Sequence, residues 1–533
     1  MSDDIFPVVV IGAGLSGLTA GLHLAARDLP PLVLEADIVW PGGRIAGGED
    51  ETLEYNGQTW TFSTQHGIHA LWGGYDNMRA MFDRFLKIQL RPSTGEEWIN
   101  RWGTHVSRIE AGTAVRSTWF PPPFHYLQLL FRPRFWKTIT WLDFFSVPGF
   151  LVSFLWAASV DPIREQIALE GLMLADFFKG WTPNLKAIFK GLGHSLLASP
   201  SEHITATAFI AAMRFYTMMR RDTWHLDYLP ANPHECMIKP MIKQIEESGG
   251  KVMVGSRVET LTRADGHWQI RVEDLRLGSY RTLRAEHVIL AVDPPAAKEI
   301  LTRSPETCQK AQEMRFPRGL ENAAIRLWFD AAPQNGAPGG MFTGDFLIDN
   351  FFWLHRIQDE FIAWHQQTGG STIEVHLYAP ESVFEQDDRL LIIQATKEVT
   401  QAFPELRGHF IHGSIRRNGP TQSQFLIPTE KSLHVITPWD NLWACGDWIG
   451  YPSPSLWMER CVVTAVAAAN EVLKANQLEI HELIPPRESE WLVRIVEFIA
   501  RGLRKTIGPV ILGTARALRR KKRDGRQKSH SDP

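Results

Sequence analysis

Cysteine is scarce in this chain: 533 residues carry four, Cys236, Cys308, Cys445 and Cys461. None forms a CxxC pair or stands at metal-ligand spacing, which excludes a disulfide framework and a cysteine metal site and leaves buried free thiols in a reducing compartment as the expectation. Long apolar runs are missing too. The longest uncharged stretch, Phe144–Val160, has 17 residues, contains Pro148 and Gly149, and falls just short of the usual spanning length. A buried or monotopic pair of helices is expected there. The first residues, Met-Ser-Asp-Asp, are acidic and lead straight into a strand, unlike the basic and then apolar start of a secretory signal. No Ser-His-Asp set, pair of catalytic carboxylates or metal-ligand cluster stands out, so no metal is expected.

What is present is a folded, soluble-type composition, 44% hydrophobic and 22% charged, long enough for two or three domains. The net charge of −3 hides an asymmetry. Residues 501–533 hold 11 Lys or Arg and 2 Asp, a net of +9, and the first 500 residues carry about −12. A basic tail of this kind meets an anionic surface, membrane or nucleic acid. There are 20 Trp, many of them between Trp98 and Trp181. Such a segment suits a large apolar cavity, an interface with lipid headgroups, or simply a Trp-rich core.

The first fifty residues read as a βαβ unit. Val8–Ile11 is a continuous apolar run, as in a strand buried on both faces of a parallel sheet. It leads into Gly12-Ala13-Gly14-Leu15-Ser16-Gly17, then a helix over Leu18–Ala26, then a strand Leu32–Leu34 ending at Glu35. Gly12 permits the tight turn, Gly14 lets a pyrophosphate approach the backbone, and Gly17 lets the helix pack closely. The phosphate sits on the helix N-terminus, with its free N–H groups and dipole. Glu35, 18 residues after Gly17, ends the second strand, where a carboxylate accepts from both ribose hydroxyls. A GxGxxG alone is weak; strand, motif, helix, strand and acid in order specify dinucleotide binding.

Glu35-Ala36 is followed by Gly42-Gly43-Arg44, two glycines that admit a second phosphate or a flavin edge and a guanidinium fork to bind it. In this position the segment resembles the amine-oxidase and carotenoid-desaturase superfamily, with one extra loop residue, Pro41. The resemblance implies FAD rather than NAD. It implies three further contacts: Val258, after the strand from Lys251, against the adenine; Gly446-Asp447, after the strand Leu442–Cys445, at the ribityl chain or pyrophosphate; and Met458, opening a long helix through Leu473, beside the flavin. Where the family often has Gly-Ala after Met-Glu, this chain has Arg460-Cys461. Val288–Val292 resembles the strand after which the chain re-enters the substrate domain. The implied fold class is α/β, a discontinuous Rossmann-like FAD-binding domain (1–75, 235–300, 425–475) with an inserted α+β substrate domain (76–234, 301–424) and an amphipathic helical, basic C-terminal tail (476–533).

His66–Asn77 resembles the Gly-Leu-His-x-Phe-Phe-Gly-x-Tyr-x-Asn segment of plant and cyanobacterial phytoene and zeta-carotene desaturases, with Gly67, His69, Gly73, Tyr75 and Asn77 in register and relatives among carotenoid-ring desaturases. The segment Ile139–Leu155 resembles the part of those enzymes that lines the carotenoid tunnel and touches the membrane. The activity implied is desaturation of an apolar isoprenoid, a hydride passing to flavin N5 and a proton to a base or solvent. His69 is the candidate to orient the flavin or take that proton; a loop-capping structural role is the alternative.

In the tail, Leu492, Ile495, Val496, Ile499 and Leu503 form a helical stripe, Pro509 is expected to interrupt the helix, and Val510–Leu518 runs into Arg519–Arg523. Stripe plus basic cluster suits an interfacial membrane helix, or a helix packed on the domain with a basic end. Nothing else in the chain supports nucleic acid. The expectation is a cytoplasmic, peripheral membrane enzyme with an isoprenoid substrate. Two other readings stay open: a flavin amine oxidase on a small soluble amine, and a non-catalytic FAD-binding scaffold.

Overall fold

The structure, a computed structural model, describes residues 5–528 with the exception of 117, 166–168 and 170. Its first sheet is built as the apolar runs demand. Strand β1 (Ile5–Ile11) lies between β2 (Leu32–Leu34) and a distant segment, β4 (Ser279–Leu290); β3 (Lys251–Met253) adds beyond β2, and β5 (Leu442–Ala444) pairs the far edge of β4. The order β3-β2-β1-β4-β5 is parallel throughout. Val8, Val9 and Val10 are wholly buried, as a central strand covered on both faces requires. The first half of β4 also pairs with an antiparallel ribbon, Ser256–Ala264 and His267–Asp274.

Helix α1 (Leu15–Ala25) is buried along its whole length. It packs on a later helix of small and β-branched residues, Trp457–Ala475, whose sequence VVTAVAAAN allows close approach. A second, seven-stranded sheet has the order 410–423, 319–329, 371–377, 350–353, 339–344, 96–102, 105–109. All its pairs are antiparallel except 339–344 with 96–102. Helix Asp388–Ala402 buries Leu391, Ala395 and Val399 with the apolar face of this sheet.

The Trp-rich segment forms short 3₁₀ turns and then α2 (Val147–Ser159). Trp141–Ser159 is long and apolar enough, by length and composition, to cross a membrane. Trp156, Ala157 and Ala158 pack on the body, and Phe144, Phe145, Leu151 and Val152 face outward. With α3 denoting Trp457–Ala475, the last helix, α4 (Trp491–Lys528), docks beside α2 through Val496 and Ala500, and Arg214–Glu497 and Arg504–Glu165 ion pairs pin it. The expected apolar stripe is thus split: Ile495, Ile499 and Leu503, with Trp491 and Phe498, point outward. The expected interruption at Pro509 is corrected, because the backbone stays helical through it. One missing N–H bond is outweighed by good helix formers on its far side, Ala515 to Leu518. The Arg519–Arg523 cluster lies outside the residues whose side chains are described.

Candidate functional site

The turn after β1 is a construction that only glycine allows. Gly12 has φ +103°, and a Cβ there would lie 2.6 Å from the Ala291 carbonyl oxygen; a Cβ on Gly17 would lie 1.9 Å from the Gly12 carbonyl oxygen. Both are fixed by the protein's own packing. Gly14 differs. An added Cβ would meet only the Gly42 carbonyl, at 3.9 Å, so the space before it belongs to the cleft. Gly14 caps α1 without a side-chain hydrogen bond, and the first turn carries no acidic residue. Free N–H groups at the helix start, with no carboxylate to repel an anion, have the chemistry to seat a diphosphate.

Glu35 locks this turn to the end of β2. Its Oε2 accepts from the Ala13 N–H at 2.8 Å and its Oε1 from the Asp37 N–H at 2.8 Å. Burial raises its pKa, against the pull of these amides. Behind the turn opens a cleft of about 900 Å³, and of the residues singled out in the sequence, Gly12, Gly14, Leu15, Ser16, Glu35, Ala36, Gly42, Gly43, Arg44, His69, Val258, Gly446, Asp447 and Met458 all line it. Gly17 of the same turn lies beneath, in the helix–turn contact. The fit to FAD therefore rests on an open helix N-terminus, a carboxylate at the strand end, and one cleft joining both ends of the motif set.

Two residues expected to act separately meet here. Arg44 donates from Nη1 to Asp447 Oδ2 at 2.8 Å and from Nη2 to Asp447 Oδ1 at 2.7 Å. Ser423 adds a hydroxyl to Asp447 Oδ1 at 3.3 Å. Arg44 is thus a neutralised fork rather than a free cation. The Arg460-Cys461 departure also resolves. Arg460 is buried and turns from the cleft to clasp the carbonyls of Ile449, at 2.6 Å, and Ser453, at 3.0 Å. Cys461 takes the position on the cleft. Glu459 accepts from the Asn77 N–H, Asn77 Nδ2 and the Met78 N–H, each at 2.9 Å, and so anchors the helix that begins at Asp76. The Tyr75 hydroxyl meets that of Tyr216 at 3.1 Å.

His69 is half-buried, and its buried Nδ1 makes no hydrogen bond among the described residues. Burial and the neighbouring His376 bring its pKa down to about 4. It is neutral at pH 7 and a weak base. His66 donates from Nδ1 to Asn418 Oδ1 at 2.7 Å and accepts at Nε2 from Arg416 at 3.3 Å. The far wall of the cleft comes from the second sheet, where Asn322, Asn350, His376, Tyr378, Arg416 and Asn418 line it. No motif pointed to these residues. The usable signal was alternation: Glu374, His376 and Tyr378 fall on one face of a strand whose other face is Ile373, Val375 and Leu377.

Residues 15–473 match the family described as flavin containing amine oxidoreductase. The 15-cis-phytoene desaturase of Capsicum annuum, titled chloroplastic/chromoplastic, is 22% identical over 419 residues, 75% of this chain and 65% of that protein. The carotenoid phi-ring synthase of Chlorobaculum tepidum is 32% identical over 162 residues, 29% of this chain and 24% of that protein. The chain thus spans just under two thirds of the length of the phytoene desaturase. Among solved structures, cyclohexylamine oxidase from Brevibacterium oxydans shares the fold, with a TM-score of 0.63 at 14% identity over 89% of this chain and 100% of that one. With a mixed α/β architecture, a diphosphate seat that fits FAD and a match over residues 15–473, the chain belongs to the flavin-containing amine oxidoreductase family, and its cofactor is FAD.

Proposed function

We propose that this chain is an FAD-dependent oxidoreductase that desaturates an apolar isoprenoid or carotenoid taken from a membrane surface. The observation that carries the substrate class is an exposed aromatic face. Trp119 is 80% exposed, Trp141 and Phe145 each 72%, and Phe131 67%; Phe498 of α4, 80% exposed, extends the face beside α2. Stacked pairs Phe120–Phe131 and Trp136–Phe144 join its parts. Apolar surface on this scale, with aromatics, is expensive in water and suits the headgroup boundary. Similarity to phytoene desaturases over three quarters of the chain supports the same reading.

In this reading 1–75, 235–300 and 425–475 form the FAD-binding domain, and 76–234 and 301–424 the substrate domain. The Gly12–Gly17 turn, with Leu15 and Ser16, holds the diphosphate; Glu35 and Ala36 face the ribose; the Val258 backbone meets the adenine; Gly42, Gly43 and Arg44, with Gly446 and Asp447, flank the ribityl chain; Met458 starts α3 beside the ring. FAD supplies the two-electron acceptor. The polyene offers no polar handle, so burial at about 25 cal/mol per Å² binds it. The enzyme sits as a peripheral protein on the cytoplasmic side of the lipid surface.

The test is an anaerobic mixture of the purified protein with liposomes containing C40 and C30 polyenes, followed by visible absorbance. Bleaching of the flavin by a polyene supports the reading. A flavin that ignores every polyene but is bleached by a small amine replaces it with an amine oxidase. A flavin that neither class bleaches points to a non-catalytic scaffold.

A further inference from the structure

The strand Ser371–Leu377 alternates. Ile373, Val375 and Leu377 are buried against helix Asp388–Ala402, which sends Glu374, His376 and Tyr378 to the opposite face. His376 and Tyr378 reach the cleft, and Glu374 is wholly buried behind them. Glu374 Oε2 accepts from Arg326 Nε at 2.8 Å; its Oε1 accepts from the Ile68 N–H at 2.6 Å and lies 3.0 Å from His376 Nε2. Burial by itself would lift the Glu374 pKa, but the Arg326 charge and the His376 hydrogen bond bring it down to about 2.

An ionised carboxylate only accepts, so His376 Nε2 carries the hydrogen and Nδ1 presents a lone pair. That lone pair faces the Tyr378 hydroxyl at 3.0 Å. The phenol therefore donates to the imidazole, and burial keeps it neutral by raising its pKa. Gly67 lets the His66–His69 loop rest on the ring. Its φ is +135°, and an added Cβ would lie 3.0 Å from His376 Nε2. The order Arg326, Glu374, His376, Tyr378 has the logic of an activated hydroxyl: a buried charge orients an imidazole, and the imidazole takes the hydroxyl proton.

We propose that Tyr378 is the proton acceptor of the dehydrogenation, with His376, Glu374 and Arg326 as the relay behind it. This rests on the desaturase reading above. As a hydride leaves one carbon of the substrate for the cofactor with its electron pair, the neighbouring C–H proton passes to the Tyr378 oxygen. The phenol's own proton passes to His376 Nδ1, and the C–H electron pair left on the substrate becomes the new C=C bond. Glu374 stabilises the imidazolium, and reversal of the relay later returns the proton to water. His69, neutral and weakly basic, is left to shape the cleft.

The groups facing His376 are Glu374 and Tyr378 on its own strand, Arg326 on strand 319–329, Asp349 beside strand 350–353, and His66 and His69 on the loop. The experiment follows flavin reduction by a polyene in liposomes, anaerobically, across about pH 5 to 9, for wild type, Y378F and H376Q. Y378F and H376Q are expected to slow reduction by about 100-fold or more with an unchanged flavin spectrum. The pH profiles of wild type and H376Q are expected to differ in shape, because only the wild type carries an imidazole in the relay. Variants that keep the wild-type rate and pH profile overturn the relay. A wild-type flavin that no polyene bleaches overturns the desaturase reading itself, and is seen before any variant is compared. A second readout needs no turnover. In protein labelled with nitrogen-15 histidine, the His376 signal, assigned by its loss in H376Q, is expected as the Nε2–H tautomer, moving toward Nδ1–H in E374Q. An Nδ1–H tautomer in wild type overturns the relay whatever the kinetics.

Discussion

Arg44 and Asp447, 403 residues apart in the chain, close on one another as a two-bond ion pair at 2.7 and 2.8 Å. Asp447 is buried and Arg44 half-buried, so the pair joins the loop after β2 to the loop after β5 on the floor of the cleft. D447A leaves the guanidinium without its partner. The expected outcome is a loss of FAD from the purified protein and a destabilisation on the order of 2 kcal/mol, measured by thermal unfolding with and without added FAD. R44A combined with D447A is expected to cost less than the sum of the two single changes, as a double-mutant cycle will show.

Gly14 and Gly17 separate a ligand contact from a packing contact. G17A drives a methyl group to 1.9 Å from the Gly12 carbonyl, so it is expected to unfold or strongly destabilise the sheet around β1. G14A meets no protein atom closer than 3.9 Å. It is expected to melt within about 0.5 kcal/mol of wild type yet purify with little flavin, because the methyl group stands where the diphosphate approaches. Equal losses of stability in the two variants would remove this distinction.

Burial lifts the Glu459 carboxyl from an ordinary 4.5 to about 7, in spite of the three N–H groups it accepts from Asn77 and Met78. Between those two values the folded protein holds a proton that the unfolded chain has lost. Stability contributed at this site is therefore full below about pH 4.5, declines as pH rises toward 7, and is flat above. The decline is on the order of 3 kcal/mol. E459Q removes it, so urea unfolding of wild type and E459Q across that range should differ in slope, with parallel curves disproving the assignment.

Trp141, Phe145 and Phe498 are strongly exposed aromatics on the face formed by α2, the turns before it and α4. Replacing each by serine is expected to weaken sedimentation with liposomes by about tenfold per residue, since each ring withdraws roughly 1.4 kcal/mol of apolar contact. Flavin content and melting temperature should not change, because none of the three contributes to the core. Unaltered liposome binding in the triple variant would assign the face to something other than lipid.

The sequence by itself determined the local devices. A buried strand, a glycine turn, a helix start free of acid and a carboxylate at the next strand end are all encoded within some thirty residues, where contact distance and sequence distance nearly coincide. Gly12, Gly14, Gly17 and Glu35 were legible for that reason, and Gly42, Gly43, Arg44, Val258, Gly446, Asp447 and Met458 through resemblance to known segments. Tertiary structure alone decided how these act together. It paired Arg44 with Asp447, turned Arg460 away from the cleft, and split the apolar stripe of α4 into a docked face and an outward one. It also set His376 and Tyr378 opposite the flavin segments, with Glu374 gripping the Ile68 amide from 306 residues away. Charges and hydrogen bonds take partners by distance in space, and the crossing of two sheets that creates that proximity is fixed by the burial of apolar faces spread along the chain, which no short segment records.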